Sequence, residues 1–165
     1  MSTNGTPSGS QTLGAQTDAH ASSDFVTMMV ADQLFGIPVL SVQDVLGPQR
    51  ITRIPLAPPE VAGALNLRGR IVTAIDVRRR LSLPARETNV SSMSIVVDKA
   101  GELYSLAVDN VGEVLSLPGE AYERTPPTLD AQWREVAAGI YRLDGRLMVV
   151  LDVARLLDIR RAEAA

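Results

Sequence analysis

Short apolar runs separated by turn residues cover most of the chain after residue 24. Two pairs of such runs are FVTMMVA (25–31) with QLFGIPV (33–39), and SMSIVV (92–97) with ELYSLAV (102–108). Asp32 joins the first pair, and Asp98-Lys99-Ala100-Gly101 joins the second. Runs of this length with such joints are typical of β-hairpins. The pattern therefore predicts antiparallel strands in a barrel or a sandwich.

The chain also repeats itself. FGIPVLSVQDVL (35–46) aligns with YSLAVDNVGEVL (104–115), and GALNLRGRIVTAIDVRRRL (63–81) aligns with GIYRLDGRLMVVLDVARLL (139–157). The repeat divides the chain into halves at about 24–84 and 85–160, each with a hairpin, a connector and a second hairpin. A half of this size has too little interior for a comfortable core of its own. We therefore expect the halves to pack together, with exchange of strands as one solution.

The repeat places Arg68 at or beside the tip of a hairpin. The matching residues of the second copy are Asp144 and Gly145, and Asp-Gly between apolar runs is a strong hairpin-turn signal. By alignment Arg68 and Gly69 form the same turn and Arg68 points at solvent. A left-handed Arg costs roughly 1–2 kcal/mol, whereas Asp tolerates that conformation. Two explanations stay open: drift or a different loop type around Asn66, and a requirement for the guanidinium at this tip.

Composition narrows the chemistry. The chain has 165 residues, no Cys and one His. That residue, His20, lies in residues 1–23, a Ser-, Thr- and Gly-rich stretch that we interpret as a disordered tail. The folded part thus has no imidazole or thiolate, which excludes a Ser-His-Asp triad, a Cys-His pair and a zinc site of these ligands within one chain. No phosphate-binding or dinucleotide motif occurs.

No apolar run approaches the ~18–20 residues that span a bilayer, and the N-terminus does not resemble a signal peptide.

Several side chains invite a functional and a structural interpretation. Asp76 and Asp152 are equivalent and could be an acid–base pair, but helix N-caps are favoured. The basic cluster 78–80 (Arg78, Arg79, Arg80), with Arg86 nearby, is favoured as a solvated helix face over a contact with an anionic partner or a membrane surface. Trp133 is interpreted as a packing anchor of the second connector.

Val42 and Val45 alternate with polar residues just after a strand. Together with Asp44 they could form a small apolar patch with a polar edge, which suits protein binding. The pattern alone favours the other interpretation, in which both valines belong to the core.

The same segments resemble the CheW family of chemotaxis coupling proteins. The resemblance covers residues 24–160 in order, and Asn66-Leu67-Arg68-Gly69, followed by an apolar strand and Asp76, is its most specific part. It implies a mainly β fold of two SH3-like five-stranded β-barrel subdomains, with short helices in the connectors and at the C-terminus. The regulatory domain of the related kinase CheA has the same fold, but we find no ATP-binding or phosphotransfer domain in this sequence and no receiver domain after the resemblance, so the chain resembles the stand-alone adaptor.

The resemblance also implies a function. Family members connect the cytoplasmic tip of transmembrane chemoreceptors (methyl-accepting chemotaxis proteins) to the regulatory domain of the histidine kinase CheA. They are not enzymes and use no cofactor or metal. They are cytoplasmic and associate with receptor arrays at the inner face of the membrane, without insertion into it. The family's receptor-binding positions match Arg68, Val42, Asp44 and Val45, and for the valines the resemblance overrules the core interpretation. It assigns no kinase-contact residues here.

The alternative function is a small-barrel protein that binds an anion or a nucleic acid through Arg68, Arg70 and Arg78–Arg80. The net charge of −3 counts against it, as does the lack of aromatic residues among the arginines. An enzyme with a carboxylate pair is disfavoured further, because two equivalent helix caps would not converge on one substrate. Arg70 has an identical twin in Arg146, which indicates a structural or solvated role.

Overall fold

The computed structural model describes residues 22–85 and 92–159. The predicted tail at 1–23 therefore falls outside these residues except for Ser22 and Ser23, and His20 and Arg86 fall outside them entirely. The strands are β1 (Ser22–Val30), β2 (Gln33–Pro38), β3 (Val42–Leu46), β4 (Val61–Leu67), β5 (Arg70–Asp76), β6 (Met93–Lys99), β7 (Glu102–Val108), β8 (Asn110–Pro118), β9 (Tyr122–Glu123), β10 (Ala137–Leu143) and β11 (Arg146–Leu151). The α-helices are α1 (Val77–Arg80), α2 (Ala131–Val136) and α3 (Val153–Leu156).

The strands form two sheets, and each sheet takes strands from both halves of the sequence. The six-stranded sheet has the order β8-β1-β2-β11-β10-β9, and the five-stranded sheet has the order β3-β6-β7-β5-β4. The two halves therefore pack together, as expected, and they do so by exchange of strands. The boundary at residue 84 separates the two sequence repeats but not the sheets, because each sheet contains strands from before and after it.

The sheets are mixed rather than purely antiparallel. All the expected hairpins are antiparallel, but β2 pairs with β11 in parallel and β5 pairs with β7 in parallel. These two parallel contacts are equivalent under the repeat, and each joins a strand of one half to a strand of the other. The expectation of antiparallel strands was incomplete because hairpin signals report only local pairing.

One apolar core is shared by the two sheets. It includes Phe35 and Ile37 from the six-stranded sheet, and Ile95 and Leu106 from the five-stranded sheet. Two smaller apolar clusters are separate from this core, one that contains Tyr141 and one that contains Leu65. Burial of apolar area on this scale is the main stabilising term for such a domain.

Connectors between the sheets complete the core. Trp133 of α2 packs edge-on against Phe35 with ring centroids 5.4 Å apart. Its indole Nε1 donates to the carbonyl of Leu81, in the other half of the sequence, at 3.1 Å. The interpretation of Trp133 as a packing anchor is thus confirmed.

The mainly β prediction with two subdomains and short helices is also confirmed. Two details differ from the predicted pair of five-stranded barrels. One sheet has six strands, because the two-residue strand β9 adds to it. Neither barrel is closed by backbone hydrogen bonds within the described ranges, because the two edge strands of each sheet are not paired with each other.

Candidate protein-binding site

Arg68 and Gly69 are the two central residues of the hairpin turn between β4 and β5. Both have positive φ, 52° for Arg68 and 84° for Gly69, which is the pattern of a type I′ turn. The side-chain Oδ1 of Asn66 accepts a hydrogen bond from Gly69 N at 3.0 Å. Asn66 and Gly69 therefore shape the turn, and Arg68 stands exposed at its tip.

The hairpin between β6 and β7 shows that this turn does not require an arginine. Ala100 and Gly101 have φ of 54° and 87°. Asp98 Oδ1 accepts from Gly101 N at 3.0 Å, as Asn66 does from Gly69. Ala100 therefore occupies the position of Arg68 in an equivalent turn. The guanidinium contributes nothing that the turn itself needs, and a left-handed non-glycine residue costs on the order of 1–2 kcal/mol.

Arg68 is paired with Asp44. Arg68 Nη2 lies 3.3 Å from Asp44 Oδ2, and the side chains are 78% and 31% exposed. Asp44 belongs to β3, at one edge of the five-stranded sheet, whereas Arg68 follows β4 at the other edge. The contact brings together two of the four residues that the resemblance placed at the receptor-binding surface.

The remaining two residues lie beside Asp44 on β3 and differ in burial. The register of β3 against β6 shifts between Val42 and Asp44, which indicates a bulge at Gln43. Asp44 Oδ1 accepts from Val45 N at 2.9 Å. Val45 is 38% exposed, whereas Val42 is half-buried and packs against the shared core. The core interpretation from the pattern is therefore wrong for Val45 and partly right for Val42.

The equivalent hairpin tip of the second half has different charges. Asp144 and Glu113, the repeat partners of Arg68 and Asp44, line one apolar groove together with Arg146. Two carboxylates cannot form the ion pair that links Arg68 to Asp44. Asp144 is also absent from the described residues with positive φ, so the two turns differ in type. The repeat therefore supplies two tips of unlike electrostatic character.

The cluster 78–80 is mostly not a solvated face, which corrects the sequence-based interpretation. Arg78 makes a bidentate contact with Asp109, with Nε–Oδ1 at 3.0 Å and Nη2–Oδ2 at 2.6 Å, and the side chains are 14% and 11% exposed. The hydrogen bond to Asp109 raises the pKa of Arg78 further above its already high value. Arg80 Nε donates to Leu156 O at 2.7 Å. Within the cluster only Arg79 is exposed, as expected.

These contacts weaken the anion-binding alternative. Arg68 precedes β5 and the cluster 78–80 follows it, and seven residues of strand span roughly 20 Å. Arg70 is exposed at the first of these ends. The five arginines therefore do not form one basic surface, and two of them are used inside the fold.

The two residues of the paired-carboxylate alternative are both used as helix caps. Asp76 Oδ1 accepts from Arg79 N at 3.3 Å, and Asp152 Oδ1 accepts from Arg155 N at 3.1 Å. Both residues are helix N-caps, as favoured from the sequence. Among the described residues no group of three or more His, Cys, Asp or Glu side chains is placed to hold a metal ion.

Sequence reasoning missed several exposed apolar residues. Leu40, Ile71 and Leu56 are exposed, and Leu56 has a φ of 64°. The segment Ile54-Pro55-Leu56-Ala57 carries a turn signal in its proline, but apolar residues on both sides hide the turn. A single apolar residue in a strand, such as Ile71, does not show whether its side chain faces the core or the solvent.

The fold is a small β module with two mixed sheets around one shared core, and its exposed surface at Arg68 and Asp44 has a composition that suits protein binding. Comparison with known proteins identifies the group: the family model for the CheW-like domain matches residues 24–161, and the chain belongs to this family. Membership gives the general function, which is that of a scaffolding adaptor in chemotaxis signalling and not of an enzyme.

Individual relatives agree over most of the chain. The chemotaxis protein CheW of Rhizobium meliloti is 28% identical over 142 residues, which cover 86% of this chain and 92% of the relative. The chemotaxis protein CheW of Klebsiella aerogenes is 29% identical over 135 residues, covering 82% and 81%. The crystal structure of the scaffolding protein TtCheW from Thermoanaerobacter tengcongensis is similar with a TM-score of 0.76 and 28% identity, covering 85% of this chain and 95% of that chain.

Proposed function

We propose that this adaptor couples the cytoplasmic tips of transmembrane chemoreceptors to the histidine kinase CheA, through CheA's regulatory domain. The receptor binds at Arg68, Asp44, Val45 and Val42. The observation that carries the proposal is the contact between Arg68 and Asp44, which unites two segments far apart in the sequence at one exposed place.

The composition of this surface suits a protein partner. An exposed guanidinium and an exposed valine lie beside a carboxylate, so the surface offers hydrogen-bond donors, an acceptor and apolar area together. Arginine is enriched among the residues that dominate binding energy in protein interfaces. Because Ala100 satisfies an equivalent turn, a role in binding explains why arginine occupies this tip.

The unlike tip in the second half supports one receptor surface per adaptor. Asp144 and Glu113 present carboxylates where the first half presents an ion pair. An acidic receptor segment that complements Arg68 would meet the like charges of Asp144 and Glu113 there, beside Arg146, which disfavours binding. The kinase, as the second partner of the adaptor, then needs a surface that the receptor leaves free.

The adaptor acts in the cytoplasm, at receptor arrays on the inner face of the membrane. None of the helices in residues 22–85 and 92–159 is long and apolar enough to cross a bilayer. Attachment to the array comes from its partners rather than from insertion. Many weak contacts suffice there, because clustered receptors and kinases raise the effective concentration.

Co-sedimentation with receptor-containing membranes tests the proposed binding of the adaptor to the receptor. We expect Arg68→Asp to abolish co-sedimentation and to leave the circular dichroism spectrum unchanged. Arg70→Asp is the matched control, because Arg70 is also exposed two residues away and is outside the proposed surface. Normal co-sedimentation of Arg68→Asp, or equal loss in both variants, would contradict the assignment of Arg68.

A further inference from the structure

Leu56 occupies a turn position that usually holds glycine or asparagine. Ala57 N donates to Ile54 O at 3.3 Å and closes a four-residue turn with Pro55 and Leu56 at its centre. Proline suits the first central position of a type II turn, and the second requires a positive φ. Leu56 has a φ of 64° and a fully exposed side chain. Neither the turn nor the core accounts for a leucine here.

The turn is held in place by the rest of its loop. Val61 N donates to Pro58 O at 2.9 Å, which closes a second turn directly after the first. Glu60 O accepts from Asp76 N at 2.8 Å, so the loop is fixed to the end of β5. Prolines further restrict the backbone. A side chain presented in this way loses little conformational freedom when a partner binds it.

Leu56 lies away from the surface proposed for the receptor. Its loop joins the end of β5 at Asp76, whereas Arg68 lies in the turn before β5 begins at Arg70. The strand separates these ends by roughly 20 Å. A segment bound at Arg68 therefore leaves Leu56 accessible, as a two-partner adaptor requires.

The loop that holds Leu56 borders two arginines and one aspartate. Arg53 and Arg79 are exposed and line a concavity of about 650 Å³ formed by this loop together with Asp76. The carboxylate of Asp76 is engaged as the cap of α1 through Arg79 N. A complementary partner would place an apolar pocket over Leu56 and carboxylates opposite the two guanidiniums.

We infer that the turn at Ile54–Ala57 is a docking point for the kinase partner, with Leu56 entering an apolar, acid-rimmed pocket of that protein. The inference rests on the proposed function and supplies a kinase-contact residue for it. The left-handed backbone conformation of Leu56 is then an energetic cost that the fold bears in order to expose an apolar side chain to the partner.

Binding to purified CheA-type kinase from the same bacterium tests the inference. The Kd of the full-length adaptor is measured on immobilised kinase for wild type, Leu56→Asn, Leu56→Met and Leu40→Asn. We expect Leu56→Asn to weaken binding at least about tenfold and Leu56→Met to stay within about threefold. Leu40→Asn is the control for loss of an exposed leucine elsewhere and leaves the Kd unchanged.

Two further measurements separate the possible outcomes. Asparagine accepts the left-handed conformation, so the Tm of Leu56→Asn is equal to or above that of wild type. Its co-sedimentation with receptor membranes is unchanged. Wild-type Kd in Leu56→Asn, or simultaneous loss of receptor binding at unchanged Tm, overturns the inference and leaves receptor–kinase coupling intact as a proposal. Failure of the wild-type adaptor to bind the kinase overturns the proposed function and this inference together.

Discussion

The side chains of Arg68 and Asp44 meet across the open side of the five-stranded sheet. Asp44 lies on β3 and Arg68 follows β4, and these are the two edge strands of the sheet. The Nη2–Oδ2 distance is 3.3 Å although the edges share no backbone ladder. The sheet is therefore curled enough for its edges to approach, and the ion pair marks where they do so.

This ion pair should affect binding much more than folding. Exposed ion pairs contribute about 0–1 kcal/mol to stability. We expect a double-mutant cycle of Arg68→Ala and Asp44→Ala, followed by urea unfolding, to give a coupling energy below about 1 kcal/mol. The same cycle, measured by co-sedimentation with receptor membranes, should show a larger coupling. A coupling of several kcal/mol in unfolding would make the pair structural instead.

The Arg78–Asp109 pair should behave in the opposite way. It is mostly buried and bidentate, and Asp109 Oδ2 also accepts from Ala31 N at 2.8 Å. Arg78→Ala leaves a buried carboxylate without this partner, so we expect a loss of about 3 kcal/mol in the free energy of unfolding. Arg79→Ala is the matched control on the same helix. Its side chain is exposed, and the change should stay within about 0.5 kcal/mol.

Equilibrium unfolding should be a single transition despite the two-part repeat. Trp133 of the second half contacts Phe35 and Leu81 of the first, and both sheets contain strands of both halves. Neither half can therefore unfold without exposing the core of the other. We expect urea curves from Trp133 fluorescence and from far-ultraviolet circular dichroism to coincide. Two separated midpoints would show that the halves are independent.

High pH should destabilise the fold through its tyrosines. Burial raises the pKa of Tyr141, with a smaller contribution from nearby Tyr122. A raised pKa in the folded state means that Tyr141 ionises at lower pH in the unfolded chain than in the folded protein. The contribution of Tyr141 to stability is therefore complete below about pH 10 and is lost as pH rises through the folded-state pKa. We expect unfolding free energy to decline above about pH 10, and Tyr141→Phe to make the decline shallower. Equal slopes in the two proteins would contradict this account.

Local features of this fold could be predicted from the sequence because each depends on a few neighbouring residues. The hairpins follow from their turn residues, and the caps at Asp76 and Asp152 follow from a carboxylate just before a short helix. The repeat also predicted that the two halves pack together, since neither half could bury its own apolar surface, and it left exchange of strands as one solution. The resemblance supplied the site residues, and their role in receptor binding stays a prediction.

Features that depend on distant residues could not be obtained in this way. The run of arginines at 78–80 looked like a solvated face because Asp109, the partner of Arg78, lies 31 residues away in the sequence. The parallel pairing of β2 with β11 leaves no local signal either. At the binding site the sequence marked Arg68 as unusual, but only the folded sheet places it beside Asp44.

The parallel contact between β2 and β11 has a consequence for how the chain is made. The five strands of the smaller sheet have all been synthesised once β7 is complete, whereas β2 must wait for β11, roughly a hundred residues after it. At about 5–20 residues per second, the N-terminal hairpin stays without this neighbour for several seconds or longer during synthesis. An unpaired strand edge invites mispairing in that interval. Translation speed, and any chaperone that shields β2, should therefore influence how much adaptor a cell accumulates.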